Sequence, residues 1–254
     1  MAVTVDSANL GGSTGATGVT SFTWNHTCAS GCKLLLVGVG GTLSANISSI
    51  TYNSVALSLV GEAEYPNEER VCLYKLTNPN TGSAYQVVVT FISSISWVAV
   101  GSISFLGASG TLGTVASAYG LSTSASVNVS SVTNEMVVDV ISARRALTVG
   151  AGQTSQWYVE LNSGQDARAQ STEAGAASVT MSWTLSESFY WVILGVSVQE
   201  AVTSQTYSES ATEVLALSGV NLSGSAFKKT LSESSILSSI LSKITAFYIT
   251  IKNW

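Results

Sequence analysis

Charge is what this chain has least of. Asp, Glu, Lys and Arg together make up 10% of its 254 residues, against about a quarter in ordinary soluble domains. So weakly charged a surface has little repulsion to keep molecules apart, and it suits a protein that packs against others. The net charge is −5, and the basic residues are scattered, with Arg144-Arg145 and Lys228-Lys229 the only doublets. A nucleic-acid face needs clustered Lys and Arg to meet phosphates, so no such partner is expected. Proline is nearly absent: Pro66 and Pro79 are the only two, both in turn-like stretches that leave strand ladders intact. Histidine occurs once, at His26, with no Gly-x-Ser-x-Gly elbow anywhere. Serine hydrolysis therefore lacks its usual base and its turn. Long apolar runs are missing too. "KLLLVGVGG" and "FYWVILGVSV" are strand length rather than the roughly 20 residues of a spanning helix, so membrane insertion is not expected. "MAVTVDSANLGG" has no basic segment leading into an apolar one, and no secretory signal is read there.

Cofactor and catalytic patterns also fail to complete. "LVGVGGTL" lacks the third glycine and the following helix of a dinucleotide loop, and "GGSTGATG" lacks the lysine of a phosphate loop. Glu135, Asp139, Glu160 and Asp166 show no spacing that selects a glycosidase pair. The expectation is a protein without a cofactor and without enzymatic activity.

What fills the space left by charge is Ser, Thr, Gly and Asn arranged with period two. Strands are expected at Leu34–Val39, Val55–Glu62, Val71–Leu76, Ala125–Val129, Ser178–Leu185 and Tyr190–Gln199, among others. Turn chemistry such as "YPNEER", "TNPNTGS" and "LNSGQDA" falls between them. Many short strands punctuated every 8–12 residues or so describe a sandwich or barrel rather than a βαβ fold. "SFTWNHT…KLLLVGVG" and "VTMSWTLSES-FYWVILGVSV" mirror one another, and each reads as a hairpin closing the sandwich, with Trp24 and Trp183 as anchors.

Four groups of residues carry the possible chemistry. Cys28 and Cys32, in "CASGC", are close enough for a tight turn through Gly31 to bring them to disulfide distance, about 4.4–6.8 Å between Cα atoms. Two reduced thiols are the alternative, decided by compartment. Cys72 alternates with apolar neighbours and reads as core. Glu62, Glu64, Glu68 and Glu69, in "GEAEYPNEER", are read as one acidic loop. They form a weak Ca²⁺ candidate set, against the simpler reading of a solvated loop neutralised by Arg70. Trp157 and Tyr158 are adjacent and must point to opposite faces of a strand. One exposed ring there would suit a sugar or a subunit interface.

The order of "FTWNHT", "LLLVGVG", "SSITYNSVALSLVG", "RVCLYKLTNPNTGS", "VVVTF", "AVGSISFLGA", "VVDVIS" and "MSWTL…ILGVSV" resembles a β-sandwich unit. That unit recurs in predicted phage virion and tail proteins and in bacterial cell-surface proteins. The likeness runs from about Phe22 to Glu200, and "LYKLTNPNTGS" followed by "QVVVTF" is its most specific part. It implies a non-catalytic, jelly-roll-like module inside a larger assembly, and it carries no catalytic residues onto this chain.

Beyond that region the texture changes. Ser208-Glu209-Ser210 and Ser232-Glu233-Ser234 head two units 24 residues apart, too few copies for a self-sufficient solenoid. In "ITAFYITIKNW" alternation puts Phe247, Ile249 and Ile251 on one face. An amphipathic helix from Ser232, with Ile236, Ile240, Leu241 and Ile244 on one side, is the alternative. Either way an apolar face needs a partner. The chain is accordingly expected to be all-β: a flexible arm over 1–20, a jelly-roll-like antiparallel sandwich over 21–200, and an assembly tail over 201–254. Its expected partners are copies of itself and other subunits of a virion or filament, with a host surface glycan as a further one. Its expected place is a virion or the cell exterior. A phage-type decoration, fibre or tail component leads. A strand-donating filament subunit or adhesin, and a carbohydrate-binding module, follow.

Overall fold

A computed structural model describes residues 1–42 and 46–201. The tail candidates Phe247, Ile249 and Ile251 lie outside the described residues. In chain order the strands are β1 (Thr4–Thr14), β2 (Val19–Thr27), β3 (Leu34–Thr42), β4 (Ile47–Tyr52), β5 (Val55–Ala56), β6 (Ser58–Tyr65), β7 (Glu69–Thr77) and β8 (Ala84–Ile95). They continue as β9 (Val98–Leu106), β10 (Ala108–Leu112), β11 (Ala116–Ser130), β12 (Met136–Ala143), β13 (Leu147–Val149), β14 (Thr154–Leu161), β15 (Asp166–Ala174) and β16 (Ser178–Glu200). All pairings are antiparallel and no helix occurs among the described residues. This is the all-β antiparallel sandwich expected from the alternation, built with more than two layers.

Three sheets form. A four-stranded sheet runs β2-β8-β4-β5, a five-stranded sheet runs β1-β9-β3-β7-β6, and a seven-stranded sheet runs β10-β16-β12-β15-β14 with β11 and β13 also on β16. Alternation explains how they stack. Leu35, Val37 and Val39 of β3 meet Val87, Val89 and Phe91 of β8 in one core, while Leu34 and Leu36 meet Val138, Val140, Leu194 and Val196 in another. The five-stranded sheet is thus buried on both faces. The strands expected at Leu34–Val39 and Val71–Leu76 are its centre.

The third core has a less ordinary origin. β11 pairs with the C-terminal part of β16 through Ala116↔Gly195 to Ser122↔Phe189, and with its N-terminal part through Ser124↔Thr184 to Ser130↔Ser178. Between these registers β16 carries the extra residues Leu185–Glu187 and Ser188, and the ribbon doubles back there. Val127, Val129, Val179, Met181, Trp183 and Leu185 then cover Val137, Ile141 and Ile193 on the outer face of the large sheet. Val129 sits so close to Gly195 that a Cβ there would lie 2.7 Å from its Cγ2. Each fully buried aliphatic or aromatic side chain in these layers stabilises the fold by about 1.5–3 kcal/mol.

Two expectations are corrected. Residues 4–14 are not a flexible arm but the edge strand β1, paired with β9 from Thr4↔Leu106 to Thr14↔Val98. The glycines read as flexible serve close packing: a Cβ at Gly11 would meet the Trp24 ring at 2.5 Å. The mirrored hairpins do not exist either. β2 pairs with β8 and β3 with β7 and β9, in different sheets, and β16 is one long strand. The two stretches resemble each other in sequence but not in pairing.

Candidate functional site

The inner space between the five- and seven-stranded sheets holds buried charge. Arg168 and Glu69 are fully buried and Asp166 nearly so. Arg168 reaches from β15 toward Gly40, where a Cβ would come within 3.1 Å of it. Its Nη2 lies 3.0 Å from Glu69 Oε2 and 3.6 Å from Asp166 Oδ1 and donates to the Trp97 carbonyl, while Nη1 donates to the carbonyls of Ala143 and Ala167. Arg144 closes the network from the surface, with Nε 2.9 Å from Glu69 Oε1 and Nη2 3.0 Å from Glu68 Oε2. Burial pushes the Glu69 carboxyl upward, opposed by Arg168 and by the Ser142 hydroxyl. A charge set paired this way specifies how the sheets seat, and breaking one partner strands the other.

The four glutamates of "GEAEYPNEER" do not form a loop. Glu62 and Glu64 lie on the exposed side of β6, and Glu62 is paired with Arg70. Glu68 and Glu69 turn inward to Arg144 and Arg168. Hairpin alternation sends them to different faces, so they do not converge on one cation, and no metal-holding group occurs among the described residues. Cys28 and Cys32 are both buried free thiols, as is Cys72. The Cys32 N–H closes the expected turn on Ala29 O at 3.0 Å, and the Cys32 thiol donates to Leu34 O. A hydrogen bond from Cys28 lowers the Cys32 thiol and raises that of Cys28. The turn was legible, but the residues it joins are packed as reduced thiols. Trp157 is not a sugar platform. It is 4% exposed, packs over Gly101, and its indole donates to Gln170 Oε1 at 2.6 Å. Tyr158 is half-buried on the outer core, its hydroxyl donating to Glu160 and accepting from the Leu147 N–H.

His26 does contact a serine. Ser102 Oγ lies 2.8 Å from His26 Nδ1, and the Trp24 indole donates to the same oxygen at 3.0 Å. Ser102 and His26 are 0% and 1% exposed, and Nε2 has no hydrogen-bond partner. Asp6 is engaged elsewhere, with Ser104 and the Ala29 N–H. Burial drives the imidazole down to about 4, so it is neutral near pH 7. The pair joins two sheets and meets no solvent.

One group of exposed apolar side chains lies on the rim where β6 and β11 end their sheets. Among the described residues β11 pairs only with β16. It is 15 residues long and contains no charge and no proline. Tyr119 and Leu121 are 58% and 57% exposed. They share a face with Val192 and Tyr190, their direct partners on β16, which is the face turned toward β6. Tyr65, the last residue of β6, lies 5.6 Å from the Tyr119 ring and 4.6 Å from that of Tyr190. The chain of rings continues through Phe189, which has the Arg145 guanidinium 4.1 Å above it. Arg145 in turn pairs with Glu187 at 2.8 Å and walls a cleft of about 510 Å³ shared with Glu160, Ser163 and Gln165. None of this ledge was read from sequence, because "ASAYGLS" alternates small polar residues with only two large ones.

Comparison with family models, with curated proteins and with solved structures finds no match for the chain.

Proposed function

We propose that the chain is a structural subunit of a larger assembly, of the phage-virion kind (decoration, fibre or tail component), joined through its C-terminal tail. One observation carries the reading: the uncharged, proline-free edge strand β11 with Tyr119 and Leu121 exposed beside it. Proteins that live as monomers guard long sheet edges with charges, prolines or a covering segment, because open N–H and C=O groups recruit other strands. Here the seven residues before the bulge at Thr123 have none of these guards. The polar groups that could do acid–base work, His26, Asp139 and Glu69, are held inside by neighbours instead. The test is the native mass of the full chain by light scattering beside that of Ile249→Lys, which charges the apolar face of the tail. The parent is expected well above the mass of one chain and the variant near it. Equal masses would remove the tail from the account.

A glycan-binding reading keeps one support. The cleft walled by Arg145, Glu160, Gln165 and Glu187 offers planar polar groups beside the Phe189 ring, the kind of lining that fixes a polar ligand's orientation. Binding on a glycan array that Arg145→Ala abolishes would favour it, and an empty array would set it aside.

A further inference from the structure

We infer that the free edge of β11, over residues 116–122, is the acceptor for the C-terminal strand segment, residues 244–251, of a second copy of this chain. The inference rests on the assembly reading above and names the surface on which it operates.

The acceptor is defined by pairing. From Ala116 to Ser122 one edge of β11 is bonded to β16 and the other to nothing among the described strands. A strand added there sets its alternate side chains beside Tyr119 and Leu121, converting two exposed apolar residues into cross-strand pairs. The neighbouring free edge of β6 is guarded in the usual way. Glu62 and Glu64 stand on it, and its ladder slips between Leu59 and Gly61. Only the β11 edge is both open and uncharged on this rim.

The donor is defined by the chain outside the described residues. It begins after Ala201, whose N–H is fixed to Gly107 O at 2.7 Å, just past the pairing of Glu200 with Ala108. Ala201 thus stands beside β10, on the same edge of β16 that β11 pairs with. Near its end Ile244–Ile251 is uncharged, bounded by Lys243 and Lys252, and sets Phe247, Ile249 and Ile251 at alternate positions. Eight residues match the seven of the open edge. Donor and acceptor are different surfaces of one chain, so the contact is head-to-tail and propagates, giving a ring or a fibre instead of a closed pair.

Two full-length variants test this together. Leu121→Lys places a guard charge at an exposed acceptor position, and Ile249→Lys charges the donor. Both must retain the parent's far-UV dichroism and melting temperature. In sedimentation velocity each alone is expected as single chains, with self-association at least about tenfold weaker than the parent's. An equimolar mixture is expected to form one-to-one complexes, since one variant keeps the acceptor and the other the donor. If Leu121→Lys assembles like the parent while Ile249→Lys does not, the tail docks elsewhere and this inference falls, leaving the assembly reading standing. If Ile249→Lys assembles like the parent, both fall. A parent that sediments as single chains overturns docking between copies and the assembly reading with it.

Discussion

Asp139 offers a sharp test of the layered interior, because its carboxylate links three strands with no cation nearby. It is fully buried in β12 and projects toward the outer layer. Oδ2 accepts the Trp183 indole N–H at 2.7 Å and Oδ1 accepts the Ser171 N–H at 2.7 Å. Burial raises the carboxyl to about 7, with these two donors opposing the rise. In the unfolded chain it returns to about 3.9. Between those values the native chain holds a proton that the unfolded chain has released, so stability falls as pH rises. The slope approaches about 1.4 kcal/mol per pH unit, and the window as a whole amounts to about 4 kcal/mol. Asp139→Asn carries no such proton. It also leaves one of the two N–H donors without an acceptor, at a pH-independent cost of about 1–3 kcal/mol. Urea unfolding of parent and variant should be measured from pH 4 to 8, and the difference in unfolding free energy plotted. All other titrations cancel in that difference. The expected curve falls through the window and flattens above it. A flat difference across the whole range would refute the buried, proton-holding carboxyl.

His26 should act in the opposite sense. Its pKa falls from 6.5 to about 4 on folding, so stability is lost as pH drops through that window. The loss is at most about 3 kcal/mol, and it should be absent in His26→Gln when the same difference is measured. Gly101→Ala should destabilise by about 1–3 kcal/mol in denaturant titration, because the new methyl overlaps the Trp157 indole; an unchanged midpoint would contradict the packing described. A thiol reagent without reductant should find no cysteine in the folded chain and three after unfolding. One thiol after unfolding would restore the Cys28–Cys32 disulfide.

Strand identity was legible where alternation used large residues. "LLLVGVG" and "ILGVSV" announced β3 and the end of β16. Their unbroken apolar character also carried the sign that both faces are covered, which a two-layer reading leaves unused. β15 gave no such sign. "DARAQST" reads as a polar surface strand, yet every one of its residues is buried, because Arg168 meets Glu69 on another sheet, Gln170 accepts the Trp157 indole N–H from β14, and Asp166 lies beside Arg144 and Arg168. Pairing across a fold has no local signature in sequence. β11 was half legible: Ala125, Val127 and Val129 alternate, so that half was read. The edge that matters begins at Ala116, in serines and alanines with a single tyrosine and leucine. The apolar alternation of "ITAFYITIK" can be read from sequence, whereas the open edge of β11 shows only once it is known which strand ends a sheet.

The most direct measurement is electron microscopy of the purified full chain at near-neutral pH. Ordered rings, particles or fibres, lost on Leu121→Lys with the fold intact, are the predicted result. Fields of isolated single-chain particles, unchanged by that substitution, would contradict the account.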